Sequence, residues 1–466
     1  MKKCFLTAFV IVCSFVVVAQ DYNQNRIQPY TKNPQFWQYQ GQPVLLVGGS
    51  SDDNLFQIEN PEEELDLIKS VGGNYVRNTM SSRDAGNFAP FEKSGKMYNP
   101  DNFNKKYWDR LDQFLKLTAE RKIFVQIEVW AFHDFFNWYG DNWLTNSWNP
   151  HNNTVFTDEN TKLEITHYGN ANTYKSPFFF SVPKLNNDEL LLSYQQKFVD
   201  KLLSISLKYD HVLYCITNEI FSQYSPEWGW YWAGYMKEKA KEAGKGIEVT
   251  EMYQTTDLQH EQHKASLDHP EIFTYVELSQ NSANVNQNHW DLLQWAKEYI
   301  TEDVRPVNHV KTYGGLTGLW THGPNHGIER FWRNIIGGAA SVRFHRPHGG
   351  IGISERAQHH IKSASMLAEE YDFFTSVPDV NSTLLLERDP DEAYLAKNAE
   401  ADIVVYFPDG GEVILDLTAF SGTYTLKWLD IEACNWFRES QINSGGILKL
   451  NVPFMGNWVA LFSVKD

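Results

Sequence analysis

A (β/α)8 barrel followed by a small β-sandwich is the fold this sequence predicts, on three observations. Short apolar runs alternate with longer segments of helical period as far as about Val377. Polar residues capable of chemistry gather where those apolar runs end, as they do on the catalytic face of such a barrel. Beyond Val377 the pattern changes to short alternating strands separated by Gly and Asp turns, with no long helix.

Taken in order, the chain opens with Lys2 and Lys3, an apolar stretch from Phe5 to Val18 and a small residue at Ala19. This is the pattern of a secretory signal peptide over residues 1–19. The stretch is too short to favour a membrane span and no later one is long enough, so a soluble protein, exported to the periplasm or outside the cell, is expected. Residues 20–377 should form the barrel. It is preceded by a hairpin formed from Arg26–Tyr39 and a turn at Gln40-Gly41-Gln42. The eight strands are read at Pro43–Ser50, Asn74–Met80, Ile123–Trp130, His211–Glu219, Gly246–Met252, Phe273–Gln280, Arg305–Gly314 and Gly338–Pro347. Helical patterns fall at Pro61–Val71, Asn104–Arg121, Glu189–Tyr209, Trp228–Ala243, His289–Ile300, Gly327–Ile336 and Ser354–Phe374. Residues 378–466 should form the sandwich, with strands in STLLLER, AYLAKN, DIVVYFPDGG, EVILDL, GTYTLKWLD, GGILKLNVP and WVALFSV.

A formal net charge of -17 argues against a partner that is nucleic acid or an anionic surface. It leaves room for an acidic substrate, because a local cluster can oppose the global sign. Cys4 and Cys13 belong to the leader. Cys215 and Cys434 fall in different predicted domains and are expected to be buried free thiols.

The strand ends supply Asp52, Asp53 and Asn54; Arg77 and Asn78; Glu128, Trp130, His133 and Asp134; and Asn218 with Glu219. Later ones add Glu277 and Gln280; His309, Lys311 and Tyr313; and Arg343, His345, Arg346 and His348. The insertion Ala131–Pro183 belongs to the same face. Its aromatics Trp138, Tyr139, Trp143 and Trp148 could stack on sugar rings or pack the loop against itself. No His-x-x-x-His or His-Glu-x-x-His lies on a predicted helix, so neither a metal nor another cofactor is expected.

The run CITNE, Cys215–Glu219, resembles the Asn-Glu motif that closes the fourth strand in clan A glycoside hydrolases. The opening Pro43–Asn54 and the terminal sandwich extend the resemblance, over nearly the whole mature chain, to apiosidase-like barrel proteins with a C-terminal collagen-binding-like module. The resemblance implies that Glu219 is the general acid and base, and that a second glutamate at the end of strand seven attacks the sugar. Here the chain departs from the family. RPVNHVKTYGG places Lys311 at or beside that position, with no acidic residue between Arg305 and Trp320.

A retaining glycosidase needs two carboxylates flanking the bond, and lysine cannot replace the nucleophile. Glu277 is the nearest substitute, or else it pairs with Lys311 or an arginine as a buried ion pair. The cations and imidazoles at the strand ends suit an anionic sugar instead. For a uronosyl residue they suit β-elimination: a base removes the C5 proton while an acid assists departure of the group at C4. Lys311 or Tyr313 would be the base, and Glu219, kept protonated, or Tyr313 the acid. Asp53, Arg77, His133, Asn218, His309, Arg343, His345 and Arg346 would bind the substrate. The expected function is elimination on a uronate-containing oligosaccharide, by a dehydratase or a lyase. The alternatives are a retaining hydrolase using Glu219 with Glu277, and a non-catalytic glycan-binding barrel. The oligomeric state is not legible.

Overall fold

The computed structural model describes residues 25–137, 141–157, 159–166, 174–317 and 322–464. The expected leader and the aromatics Trp138 and Tyr139 lie outside the described residues. Eight parallel strands form one sheet: β1 (Leu46–Gly49), β2 (Tyr75–Thr79), β3 (Phe124–Trp130), β4 (Val212–Thr217), β5 (Val249–Thr250), β6 (Val276–Glu277), β7 (Val307–Thr312) and β8 (Ser341–Phe344). Their order is β5-β4-β3-β2-β1-β8-β7-β6. The two ends meet where the Thr274 N–H donates to the Val249 carbonyl at 3.0 Å, which closes the barrel. Every residue of these strands is buried, as expected of parallel strands covered on both faces.

Eight helices follow the strands in turn: α1 (Pro61–Ser70), α2 (Lys105–Arg121), α3 (Glu189–Ser206), α4 (Glu227–Glu242), α5 (Glu261–Leu267), α6 (Asn286–Tyr299), α7 (Pro324–Ile336) and α8 (Glu355–Glu370). Their starts use ordinary chemistry. Asn104, Asp188 and Ser354 cap α2, α3 and α8 through side-chain oxygens, and Pro324 opens α7 where its missing N–H costs nothing. The seven-residue α5 is absent from the sequence reading, because EQHKASL is too short and too polar to show a helical stripe.

The expected first strand divides in two. Gln42–Val44 pairs with Asn33–Tyr39 in a three-stranded antiparallel sheet, and only Leu46–Gly49 enters the barrel. Gln40 and Gly41 have φ of 52° and 77°, the pair of left-handed residues that a two-residue hairpin turn requires. This sheet plugs the barrel base. The Trp37 indole N–H donates to Asn308 Oδ1 at 2.9 Å, and its ring meets Tyr275 edge-on.

The C-terminal strands are β9 (Val377–Pro378), β10 (Leu385–Leu386), β11 (Tyr394–Lys397), β12 (Ile403–Phe407), β13 (Glu412–Asp416), β14 (Thr423–Asp430), β15 (Asn435–Asn443), β16 (Ile447–Asn451) and β17 (Trp458–Val464). They form antiparallel sheets in the orders β9-β11-β12-β17-β14-β15 and β10-β13-β16. The edge strand β15 escapes sequence reading because NWFRESQIN carries almost no apolar alternation. The larger sheet packs on the barrel through Tyr406, Leu429 and Val459 against Trp332 and Ile361, reinforced by Arg333–Asp391 and Arg356–Glu432, each at 2.8 Å. Both thiols are free; Cys215 is buried, while Cys434 is only half-buried. Among the described residues no helix is long and apolar enough to cross a membrane.

Candidate active site

Strand β4 ends in Asn218 and Glu219, and the backbone turns there. Glu219 has a φ of 60°, a left-handed conformation that costs a non-glycine residue roughly 1–2 kcal/mol. The turn breaks the in-out alternation, so both side chains reach the mouth. Glu219 is almost fully buried, and four donors hold its carboxylate. Lys311 Nζ lies 2.8 Å from Oε1, and the Tyr313 hydroxyl donates to the same oxygen at 2.6 Å. Gln280 Nε2 donates to it at 3.0 Å, while His133 Nε2 lies 3.0 Å from Oε2. Burial alone would push the Glu219 pKa up. The Lys311 ammonium and the His133 contact outweigh it and hold the group well below the usual carboxylate range. Glu219 is therefore a carboxylate, which corrects the expectation that it is kept protonated to act as the acid.

Strand β7 brings Lys311 and Tyr313 to this point through a break in register. Between His309 and Thr312 its pairing with β8 shifts, the signature of a β-bulge. Asn308 faces the interior below the bulge and Lys311 above it. His309 is left on the helix side, buried 6.1 Å from the ring of His289 on α6. Strict alternation would have grouped His309 with Lys311 and Tyr313; the bulge removes it from the mouth, and burial holds its pKa at about 3. His309 is thus corrected from substrate ligand to neutral packing residue.

Lys311 Nζ also donates to Asn218 Oδ1, so it bridges the two residues of the Asn-Glu pair. Burial pushes its pKa down, and repulsion from Arg77 adds to this, while Glu219 opposes it. Burial, the Glu219 charge and the hydrogen bond all push the Tyr313 hydroxyl well above its ordinary value. The His345 ring packs on Tyr313 with centroids 4.6 Å apart; burial keeps this imidazole neutral.

Beside this centre lies a second charge cluster around Asp53. Its carboxylate contacts Arg77, Arg83 at 3.3 Å, Arg346 at 2.8 Å and His345 at 3.9 Å. Burial opposes its charge, but the guanidinium groups of Arg77, Arg346 and Arg83 together hold the pKa well down. Arg77 Nε also donates to Glu128 at 2.6 Å, and Arg83 reaches Asp134 at 3.3 Å. Asp134 further accepts from Ser81 at 2.8 Å, tying the long insertion to the loop after β2. The cations counted at the strand ends are thus largely neutralised within the protein. Arg346, a quarter exposed at its side chain, is the member of the Asp53 cluster that most reaches solvent.

Two further expectations are corrected. Among the described residues Glu277 pairs with neither Lys311 nor an arginine. It accepts from the Ser279 and Val310 amides, both at 3.1 Å, and from Gln126 at 3.3 Å, and burial raises its pKa to about 7. Arg343 is wholly buried below the mouth, where it donates to the Val310 carbonyl at 2.9 Å and to Ser50; it braces the wall. Trp143 and Trp148 are also buried, packed against Phe135 and against Phe91 and Phe178, and offer no open face to a sugar. The sequence alone points to no role for Gln280 or Arg83. Gln280 follows a strand end and was visible as a polar terminus, whereas nothing in SSRD marks Arg83.

No protein-family model matches this chain, and no curated protein matches it. Solved structures do match in fold. A structure described as a glycoside hydrolase is 11% identical with a TM-score of 0.62, covering 95% of this chain and 98% of that one. A glycoside hydrolase family 5 structure from Bacteroides vulgatus is 12% identical with a TM-score of 0.63, covering 95% of each chain. A maltogenic α-amylase from Thermotoga neapolitana is 9% identical with a TM-score of 0.51, covering 90% of this chain and 99% of that one. At these identities the likeness is one of fold: a (β/α)8 barrel with a C-terminal sandwich.

Proposed function

We propose that this protein is an exported carbohydrate-active enzyme that performs β-elimination at a uronosyl residue of an oligosaccharide, leaving an unsaturated uronate. The observation that carries this reading is Lys311 Nζ bridging Asn218 and Glu219, where the resemblance leads one to expect a second carboxylate. The fold neighbours, described as glycoside hydrolases, support carbohydrate chemistry. The charge arrangement favours proton abstraction over nucleophilic attack. Asp53 is tied to cations, Glu128 to Arg77, and Glu277 to neutral donors beneath the mouth.

Glu219, already anionic, takes the C5 proton. The C5–H electron pair forms the C4=C5 double bond as the C4–O bond breaks, and Tyr313 gives its proton to the leaving oxygen. The Glu219 anion is a main cause of the raised Tyr313 pKa, so Tyr313 becomes a stronger acid in the step that neutralises Glu219. Glu219 then gives up its proton to solvent and the Tyr313 phenolate takes one up, restoring the 2.6 Å hydrogen bond of the resting state. Lys311, freed of its partner anion, stabilises the charge developing on the substrate carboxylate, and Arg346 receives that carboxylate from the solvent side. Insertion of His133 from the long loop into the mouth favours reaction at a chain end, as in a dehydratase or an exo-acting lyase. The test is Tyr313→Phe on uronate oligosaccharides: formation of the conjugated product should fall sharply while the fold persists. Undiminished formation would remove Tyr313 from the reaction.

A further inference from the structure

Gln280 is a candidate for more than packing. It lies in the 3-10 turn Ser279–Ala283 that follows β6, is 1% exposed, and donates through Nε2 to Glu219 Oε1 at 3.0 Å. Its amide orientation follows from charge: the opposite placement would set two oxygens against each other. Its own Oε1 is therefore directed away from Glu219, and among the described residues nothing hydrogen-bonds to it. A buried carbonyl without a donor is unfavourable unless something else supplies one.

The two oxygens of Glu219 also differ. Oε1 carries Lys311, Tyr313 and Gln280, whereas Oε2 meets His133, whose side chain is 16% exposed. The more exposed partner thus stands at Oε2, with Gln280 on the other edge of the carboxylate.

Resting on the assignment of Glu219 as the reacting carboxylate, we infer that Gln280 is a positioning and specificity residue. Its Nε2 orients Glu219, while its Oε1 accepts a hydrogen bond from the substrate hydroxyl at C3, next to the carbon that loses its oxygen. The substrate class is therefore narrowed to uronosyl residues that keep a free hydroxyl there. A methylated, sulfated or deoxygenated position would leave the carbonyl unsatisfied.

The experiment compares an oligouronate with its analogue deoxygenated at that hydroxyl, on the parent enzyme and on Gln280→Met, with Gln280→Asn as a second variant if the first does not fold. The parent should lose roughly 10- to 100-fold in kcat/KM on the deoxy analogue, the penalty for a buried acceptor left unpaired. Gln280→Met should lose activity on the full substrate but treat both substrates within about threefold. If the parent handles both substrates equally, or the variant keeps the parent's discrimination, the inference is overturned. Glu219→Gln separates the two levels. If it is inactive while the parent does not discriminate, only the Gln280 role fails; if it is active, the assignment of Glu219 fails with it.

Discussion

Glu219, after β4, and Glu277, on β6, stand on either side of β5 in one barrel, at its mouth and in the belt below, and both are almost completely buried. Their surroundings give them opposite characters. Glu219 has a lysine and an imidazole at its oxygens and stays anionic; Glu277 has a serine, an amide side chain and backbone N–H groups, and burial raises it to about 7. Depth therefore does not decide the charge state; the formal charge of the donors does. The mouth holds charge, and the belt seals the interior with shared hydrogen bonds among Gln126, Tyr75, Tyr275 and Asn308.

The largest expected effect comes from removing the cation that separates the two regions. Lys311→Met leaves Glu219 with its strongest partner gone, and should cost about 3–5 kcal/mol at neutral pH, with turnover abolished. Denaturant titration at pH 5 and 7 checks it, because protonating the orphaned carboxylate should return part of the stability at the lower pH. Tyr313→Phe should come next, lowering kcat by roughly 10²–10⁴-fold through loss of the proton donor, with a melting temperature near the parent's.

Acid should then destabilise the fold through the packing histidines. Burial holds His211 and His309 at about 3 and His263 at about 4, below the ordinary 6.5. The unfolded chain binds more protons below pH 6.5, so their contribution is intact above that pH and fades towards pH 4. Each would account for up to about 1.4 kcal/mol per pH unit in that window. Urea midpoints between pH 7 and 4 read this out, and His309→Gln should flatten the slope.

The smallest effect belongs to the belt. Glu277→Gln should leave turnover largely intact and change stability by about 1 kcal/mol. Because the Glu277 pKa is raised on folding, its contribution is present below the unfolded value and is lost as pH rises through about 7; the variant should lack that loss. An inactive Glu277→Gln variant would instead favour hydrolysis with Glu277 as nucleophile.

The barrel was legible because its strands are short buried runs and most of its helices carry an apolar stripe, and Asn218-Glu219 and Lys311 stood out as strand ends. Three things were not. The bulge between His309 and Thr312 resets alternation without any glycine to announce it, so His309 was placed on the wrong face. Internal neutralisation of the cations was equally hidden: Arg77 meets Asp53 and Glu128 only after three strands are laid side by side. The burial of Trp143 and Trp148 depends on how the insertion folds back on β3, which composition does not reveal.

The most direct test of elimination is to incubate the purified protein with oligosaccharides from uronate-containing polysaccharides, following ultraviolet absorbance and product mass together. Elimination predicts rising absorbance from a conjugated unsaturated uronate, with either loss of one water and no shortening, or cleavage without uptake of water. Cleavage that takes up water without any absorbance would contradict it and return Glu219 to hydrolytic chemistry.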